Sequence, residues 1–425
     1  MSLIGEEGCN EMSLPCGEKR TITWLAPKLM KGGGGYRNII RMCTFLAKFG
    51  HTVRLHVGSS DEYGSSREAA DLLSRQFWPV DYEIVCGYES IAPCDALVAT
   101  TWKTAYVVVQ NQHCCKKFYF VQDFENLFYP VGTLHLLAEW SYRLGLSHIT
   151  SGPWLADVLR EKYGAQADAV GFPLDRDVYH QRSVDRAGKR SVAFFAKPEM
   201  PRRCYELGLA ALALFHQQRP DVEIILFGSQ KMNSHEIEFP HKKLRLLPNL
   251  HSLAQLYSRA DVGMAFSTTN PSLVPFEMMA CGCPVLDLDL PANTMMYGSR
   301  DNALFVVPMP SSIANGLCLL IDDVNLRTQI AKSGMDFVSS FPTEEKVARQ
   351  LESIILKGVA QNDKQPGERG VGSKGFVDER LLGDLKSLGL GLPARKRYTG
   401  LKSMVANIWP CRMVRWLARA LRRKF

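Results

Sequence analysis

Residues suited to chemistry gather in four short stretches of this sequence. In TNPSLVPFEMMACGCPV, residues 269–285, a polar turn leads into an apolar segment with one acid in its middle, Glu277. A helix beginning near Val274 puts Glu277 in its first turn, where the helix dipole favours a carboxylate. Such a group has two acceptor oxygens and no donor, so it suits the paired hydroxyls of a ribose. Backbone N–H groups around Ser272, Leu273 and Val274 suit a phosphate. In FAKPEMPRRCYELG, 195–208, Lys197, Arg202 and Arg203 lie between a strand end and a helix start. Fixed cations beside a helix N-terminus make a diphosphate site that needs no metal. Gly228, at the end of the strand DVEIILFGS, 221–229, is counted with the same donor-type site.

The other two stretches lie earlier. FYFVQDFENLFYPVG, 118–132, delivers Gln122, Asp123 and Glu125 from a strand end, followed by aromatic residues that suit sugar recognition. In KGGGGYRN, 31–38, Gly33, Gly34 and Gly35 let the backbone approach a ligand, and the next helix offers free N–H groups to an anion. Each stretch also has a plainer reading: a flexible glycine loop, a solvated loop with packed aromatics, a solvated basic turn, or an acid that serves only a helix start.

The elements that must hold these junctions alternate along the chain. Strands are predicted at 21–26, 51–58, 82–87, 95–100, 117–123 and 147–150, with helices at 36–50, 132–145 and 153–164. The pattern restarts after 190. Strands at 191–197, 221–229, 261–267, 284–288 and 303–307 alternate with helices at 202–218 and 251–260, from near Val274, across 311–340 and at 343–358. Alternation of this kind predicts an α/β fold of parallel sheets covered on both faces. Two such runs predict two Rossmann-like domains, 20–182 and 188–358, followed by a linker and tail over 359–425. Ligands then belong beyond the carboxyl ends of the strands.

Composition narrows the classes. At 425 residues, 46% hydrophobic and 22% charged, the chain has the makeup of a two-domain globular protein. Its longest apolar runs are too short to cross a bilayer, and residues 1–20 are polar, without a signal-type apolar run. Twelve cysteines show no zinc-site spacing and read as free thiols of a reducing cytoplasm. Of the formal charge of +8, six basic residues fall within 412–425, which holds no acid, so the rest carries no nucleic-acid footprint.

On EMMACGCPV, 277–285, the second half resembles the GT-B retaining glycosyltransferases of family 4. That family sets an acid, seven residues and a second acid before A-C-G-x-P-V; here the first position is Thr269. FYFVQDFENLFYP, GFPLD at 171–175 and KPEMPRRCYELGLAAL at 197–212 are similar to bacterial rhamnosyl- and related transferases of cell-surface glycan assembly. The resemblance covers about 20–358. It implies two Rossmann-like domains facing across a cleft, the second holding a nucleotide-sugar donor and the first a glycan or lipid-linked glycan acceptor. It implies Glu277 on the donor ribose and Lys197 with Arg202 or Arg203 on the leaving diphosphate, where growing charge is best met by fixed cations. No metal or cofactor is expected. The glycine loop, Gln122 and Glu125 would lie on the acceptor side, with Asp123 on the acceptor hydroxyl or the transferred sugar. Thr269 keeps a second reading open, a non-catalytic nucleotide-sugar or glycan-binding relative. A Rossmann dehydrogenase is disfavoured, because GGGGYRN lacks the dinucleotide spacing and 51–58 ends without an acid.

The tail adds an expectation about place. On a helical wheel Arg412, Arg415, Arg419, Arg422 and Arg423 fall on one side, Met413, Leu417, Ala420 and Leu421 on the other, with Trp416 near the boundary. A basic amphipathic helix of this kind suits an anionic membrane surface, and each basic residue near one contributes about 1 kcal/mol. The expected location is cytoplasmic, peripheral on the inner face of the plasma membrane. A chain lacking 405–425 should still transfer to a soluble acceptor analogue but lose co-sedimentation with anionic liposomes. Equal sedimentation of both chains at low and physiological salt removes this role.

Overall fold

A computed structural model describes residues 18–28, 34–58, 63, 65–184, 188–233 and 237–363. The expectations for Gly33 and for the tail Arg412–Phe425 lie outside the described residues.

The first lobe runs β1 (Thr21–Ala26), α1 (Gly34–Lys48), β2 (Thr52–Val57), α2 (Ser66–Gln76), β3 (Glu83–Cys86), β4 (Cys94–Ala99), α3 (Trp102–Gln110) and β5 (Cys114–Val121). A 3-10 turn (Glu125–Phe128), α4 (Thr133–Trp140), β6 (Ser147–Ser151), α5 (Pro153–Tyr163) and β7 (Ala167–Val170) complete it. Its strands pair in parallel in the order β3-β2-β1-β4-β5-β6-β7.

The second lobe runs β8 (Ser191–Phe195), a 3-10 turn (Pro201–Arg203), α6 (Tyr205–Gln218), β9 (Glu223–Phe227), the two-residue β10 (Lys242–Lys243), α7 (Leu250–Arg259) and β11 (Val262–Met264). It continues through α8 (Val274–Ala280), β12 (Val285–Leu288), α9 (Pro291–Met296), β13 (Leu304–Val306), α10 (Pro310–Asp322) and α11 (Val324–Ser339). These strands are also parallel, in the order β10-β9-β8-β11-β12-β13. No helix among the described residues is long and apolar enough to cross a membrane.

The alternation of side chains explains the layers. Ile22, Trp24 and Ala26 of β1 face one way, onto Ile39, Ile40, Cys43 and Leu46 of α1. In the second lobe Val192 and Phe194 face one core while Ala193 joins Ile225 and Phe227 in the other. Because both faces are covered, the strands read as unbroken apolar runs. In each sheet the chain reverses its order of strand addition between a central pair, β1 with β4 and β8 with β11. These are the crevices where parallel sheets receive ligands.

Helix α3 was missing from the sequence pattern. Its run AYVVV, 105–109, is rich in β-branched residues that favour strands. A capping box decides the outcome: the Thr101 side chain accepts from the Thr104 backbone and the Thr104 side chain from the Thr101 backbone.

One boundary is corrected. The final helix, α12 (Glu344–Asp363), follows the second lobe in the chain, and the pattern 343–358 assigned it there. Its apolar stripe Val347, Ala348, Leu351, Ile355 and Val359 instead enters the core of the first lobe beside Trp24 and Phe118. The Arg41–Glu344 ion pair and a 2.9 Å contact between His51 Nε2 and Glu352 fix it there. Leu351→Ala should therefore cost the first lobe about 2–5 kcal/mol. Urea unfolding followed by tryptophan fluorescence checks this, since the described indoles all belong to that lobe. An unchanged fluorescence midpoint contradicts the assignment.

Candidate functional site

The second lobe gathers its cations at the end of β8. Lys197 and Arg203 are both buried, at 7% and 6% exposure. Lys197 Nζ lies 3.5 Å from Glu199 Oε1, and Glu199 Oε2 accepts from the Ser229 hydroxyl at 2.7 Å. Burial pulls the Lys197 ammonium below its ordinary pKa, against the pull of Glu199. Burial likewise brings Arg203 down to about 10, with Asp123 and Asp287 opposing. Two of its nitrogens, Nε and Nη1, have no hydrogen-bond partner. A buried guanidinium with open donors is costly unless an anion completes it. Gly228 adopts φ +103°, and a side chain there would strike the Phe195 ring at 2.6 Å and meet the Lys197 stem at 3.7 Å. It keeps the floor beneath Lys197 open.

Glu277 sits in the first turn of α8 and is part-exposed. Burial pushes its carboxyl up to about 7, against the guanidinium of Arg37, the facing Tyr179 hydroxyl and the guanidinium of Arg41. Both arginines come from α1, so the acid looks across at the first lobe. Ser272 precedes it with an enclosed hydroxyl oxygen that has no partner. Leu273 and Val274 stay partly open at the helix start. Thr269, where the family resemblance expects an acid, is wholly buried, its backbone N–H donating to Ser267 Oγ at 3.3 Å.

The lobes meet at Asp123. Its Oδ2 lies 3.2 Å from Arg202 Nε, and its Oδ1 accepts from the Asn270 backbone at 3.0 Å. Asn270 Nδ2 donates to the carbonyls of Gln122 at 3.1 Å and Ser151 at 3.2 Å. Arg202 also stacks on the Phe128 ring, 4.0 Å from its centroid. Gln122 accepts from Asn38 Nδ2 at 3.1 Å and lies next to Gly35, where an added side chain would meet its amide at 3.5 Å. Gly34 begins α1 with open space around it. The structure thus brings Asp123, Gln122, Gly35, Arg202 and Arg203 to one junction.

Glu125 departs from its expectation as a cleft residue. Its carboxylate turns into the first lobe, where Oε2 accepts from the Trp102 backbone and Oε1 from the Tyr119 hydroxyl, each at 3.0 Å. It satisfies the free Trp102 N–H at the start of α3 instead of a sugar. Burial raises it to about 7, with those two donors opposing.

Sequence reasoning missed Asn270, Glu199, Arg37 and Arg41. Asn270 and Glu199 lie inside stretches already singled out, and Arg37 stands in KGGGGYRN. Their roles depend on contacts between distant segments, which no local pattern carries. Among the described residues nine cysteines are free, and no cluster of three histidine, cysteine or acidic side chains is arranged for a metal.

Comparison with known proteins follows this geometry. Residues 190–318, less than a third of the chain, match the family described as "WsaF, C-terminal domain". The O-antigen biosynthesis protein RfbC of Myxococcus xanthus is 33% identical over 268 residues, which is 62% of this chain. The chain spans about a fifth (21%) of the length of that curated relative. Among solved structures, the HepE protein of Anabaena in complex with UDP-glucose aligns with TM-score 0.62 at 17% identity, covering 80% of this chain and 100% of that one. Sucrose-phosphate synthase of Thermosynechococcus elongatus aligns with TM-score 0.61 at 13% identity, covering 81% and 100%. The fold is GT-B, two Rossmann-like lobes with parallel sheets.

Glu125 generates a pH prediction. Its folded pKa lies above the ordinary carboxyl value of 4.5, so the folded state holds a proton that the unfolded state releases. Stability then falls as pH rises from about 4.5 to about 7, and the penalty is complete above that window. Glu125→Gln keeps the acceptor for Trp102 and removes the titration. Its urea midpoint relative to the parent should climb by the equivalent of a few kcal/mol between pH 4.5 and pH 8. A pH-independent difference contradicts the buried assignment.

Proposed function

We propose that this chain is a GT-B glycosyltransferase that moves a sugar from a nucleotide-diphosphate sugar to a glycan or lipid-linked glycan acceptor. The observation that carries the reading is Arg203, buried beside Lys197 at the switch point of the second lobe with two donors unmet. That is the arrangement a diphosphate completes without further neutralisation. The UDP-glucose held by HepE on the same fold and the O-antigen biosynthesis for which RfbC is named support the substrate class. The resemblance of the motif segments supports family 4, retention of configuration and rhamnose as the sugar.

The roles follow from position. Glu277 holds the donor ribose, with Ser272, Leu273 and Val274 leading the backbone to the phosphates. Lys197, Arg202 and Arg203 oppose the charge that grows on the leaving diphosphate, so no metal is required. Gly228 keeps room for that group above β9. Asp123, with Gln122 and the glycine loop, forms the acceptor side of the junction. A second reading, binding without transfer, is favoured by Thr269: the residue is buried and offers no carboxylate to the donor sugar. Donor turnover by purified protein separates the two.

Thermal-shift screening of nucleoside diphosphates and nucleotide sugars identifies the donor, because a ligand stabilises the state it binds. Glu277→Ala should weaken kcat/KM for that donor about tenfold or more while the protein stays folded. Unchanged donor kinetics remove Glu277 from the site. Neutralising Lys197 or Arg202 should lower kcat by on the order of 10²-fold with little effect on acceptor binding, and activity should persist in EDTA. Strict dependence on a divalent ion contradicts this assignment.

A further inference from the structure

The first lobe exposes an apolar surface that the donor site does not use. Half of the large apolar side chains exposed among the described residues lie in one segment, Leu127–Trp140. Val131 is 89% exposed and Leu136 60%, with Leu127, Leu134 and Trp140 also open. Isolated exposed apolar residues need no explanation, but five within fourteen residues do. Helix α4 packs on the turns at its two ends and on α3, the outer layer of the lobe. Leu136 and Trp140, four apart, share one of its faces.

The charge around this surface is one-sided. The one acid within the segment, Glu139, is engaged by Lys162 Nζ at 2.7 Å and the Tyr163 hydroxyl at 2.9 Å. At the border stand exposed Lys103, over the Trp102 ring at 5.5 Å, and exposed Arg143, whose guanidinium lies 6.0 Å from the Trp140 ring. Neither has an acidic partner among the described residues. Trp102 Nε1 donates to the Tyr129 hydroxyl, which ties the Lys103 border to the segment. An apolar crest edged by cations and by Trp and Tyr matches the boundary between acyl chains and headgroups. The segment is also continuous with the lobe junction, since Phe128 within it stacks on Arg202.

We infer that Leu127–Trp140 is a docking surface for the headgroup–acyl boundary of an anionic bilayer, which brings the mouth of the interlobe junction to the membrane. This deepens the proposed function: it rests on that reading for the acceptor, which would be presented from the bilayer. A single shallow apolar contact binds membranes weakly, and stable attachment takes two signals. The exposed cations Lys103 and Arg143 at its border supply the second, electrostatic one.

The test uses the full chain and sedimentation with phosphatidylcholine vesicles, with and without phosphatidylglycerol. Val131→Ser combined with Leu134→Ser and Leu136→Ser should lower the partition coefficient about tenfold or more, while nucleotide-dependent thermal shifts stay as in the parent. Lys103→Glu with Arg143→Glu should weaken binding to the anionic vesicles alone. Leu319→Ser with Val324→Ser, also exposed apolar residues but in the second lobe, should change neither. Equal sedimentation of the triple variant and the parent overturns the proposal. So does a parent dimer that the triple variant dissociates with sedimentation unchanged, since the surface would then join two copies. Sedimentation requires no transfer, so vesicle binding through this surface by a chain that transfers nothing would sink the enzymatic reading and leave this one standing.

Discussion

The contact on which the site depends is the one Asp123 makes with the opposite lobe. The two sheets share no strand, so contacts between loops must register one lobe on the other. Asp123 closes the gap by holding the Arg202 side chain with one oxygen and the Asn270 backbone with the other. Asn270 answers from the second lobe with its amide on the ends of β5 and β6. The contacts of this set are charge-assisted at the two Asp123 oxygens and neutral at the Asn270 amide, so it registers the lobes without the cost of a fully desolvated ion pair. Arg203 then stands next to a carboxylate yet retains unmet donors.

The same geometry explains why the polar residues lie where they do. Parallel strands covered on both faces leave water-facing space only at their ends. The carboxyl ends of the strands carry the glycines, Lys197, the arginines and the Asp123 turn, while strand interiors hold Ile, Val, Leu and Phe. Where an acid does enter the interior, as Glu125 and Asp287 do, it meets donors from its own lobe. Asp287 accepts from the Tyr297 hydroxyl at 2.6 Å and is pushed up to about 7 by burial. Both carboxyls are thus satisfied inside their own lobes.

Much of this was legible in the sequence, because period and punctuation are local. The strands predicted at 21–26 and 191–197 and the helices after them follow from apolar spacing, the first helix also from its terminal Gly50. Lys197, Arg202, Arg203, Asp123 and Gln122 were found by asking which polar residues sit at strand ends. What remained hidden depends on partners far along the chain. Nothing near Glu125 reveals that Trp102 supplies its donor, and nothing near Leu351 reveals that the pocket it fills lies in the opposite lobe. Helix α3 was hidden for another reason: its valines argue for a strand, and a two-threonine cap overrules them.

The return of α12 to the first lobe has a consequence for how the molecule is made. The segments that carry the chain out and back run side by side, joined by the Leu174 N–H on the Pro342 carbonyl at 3.2 Å and by Arg176 on the Phe341 carbonyl at 2.6 Å. During synthesis the first lobe emerges with an empty apolar trough along Trp24, Ile40 and Phe118. That trough stays unfilled while the whole second lobe is translated, because its missing wall is encoded after residue 343. The half of the protein that begins first is finished last. The newborn chain must therefore shield a sticky surface for the time needed to make roughly 150 residues, tens of seconds or less at ordinary ribosome speeds.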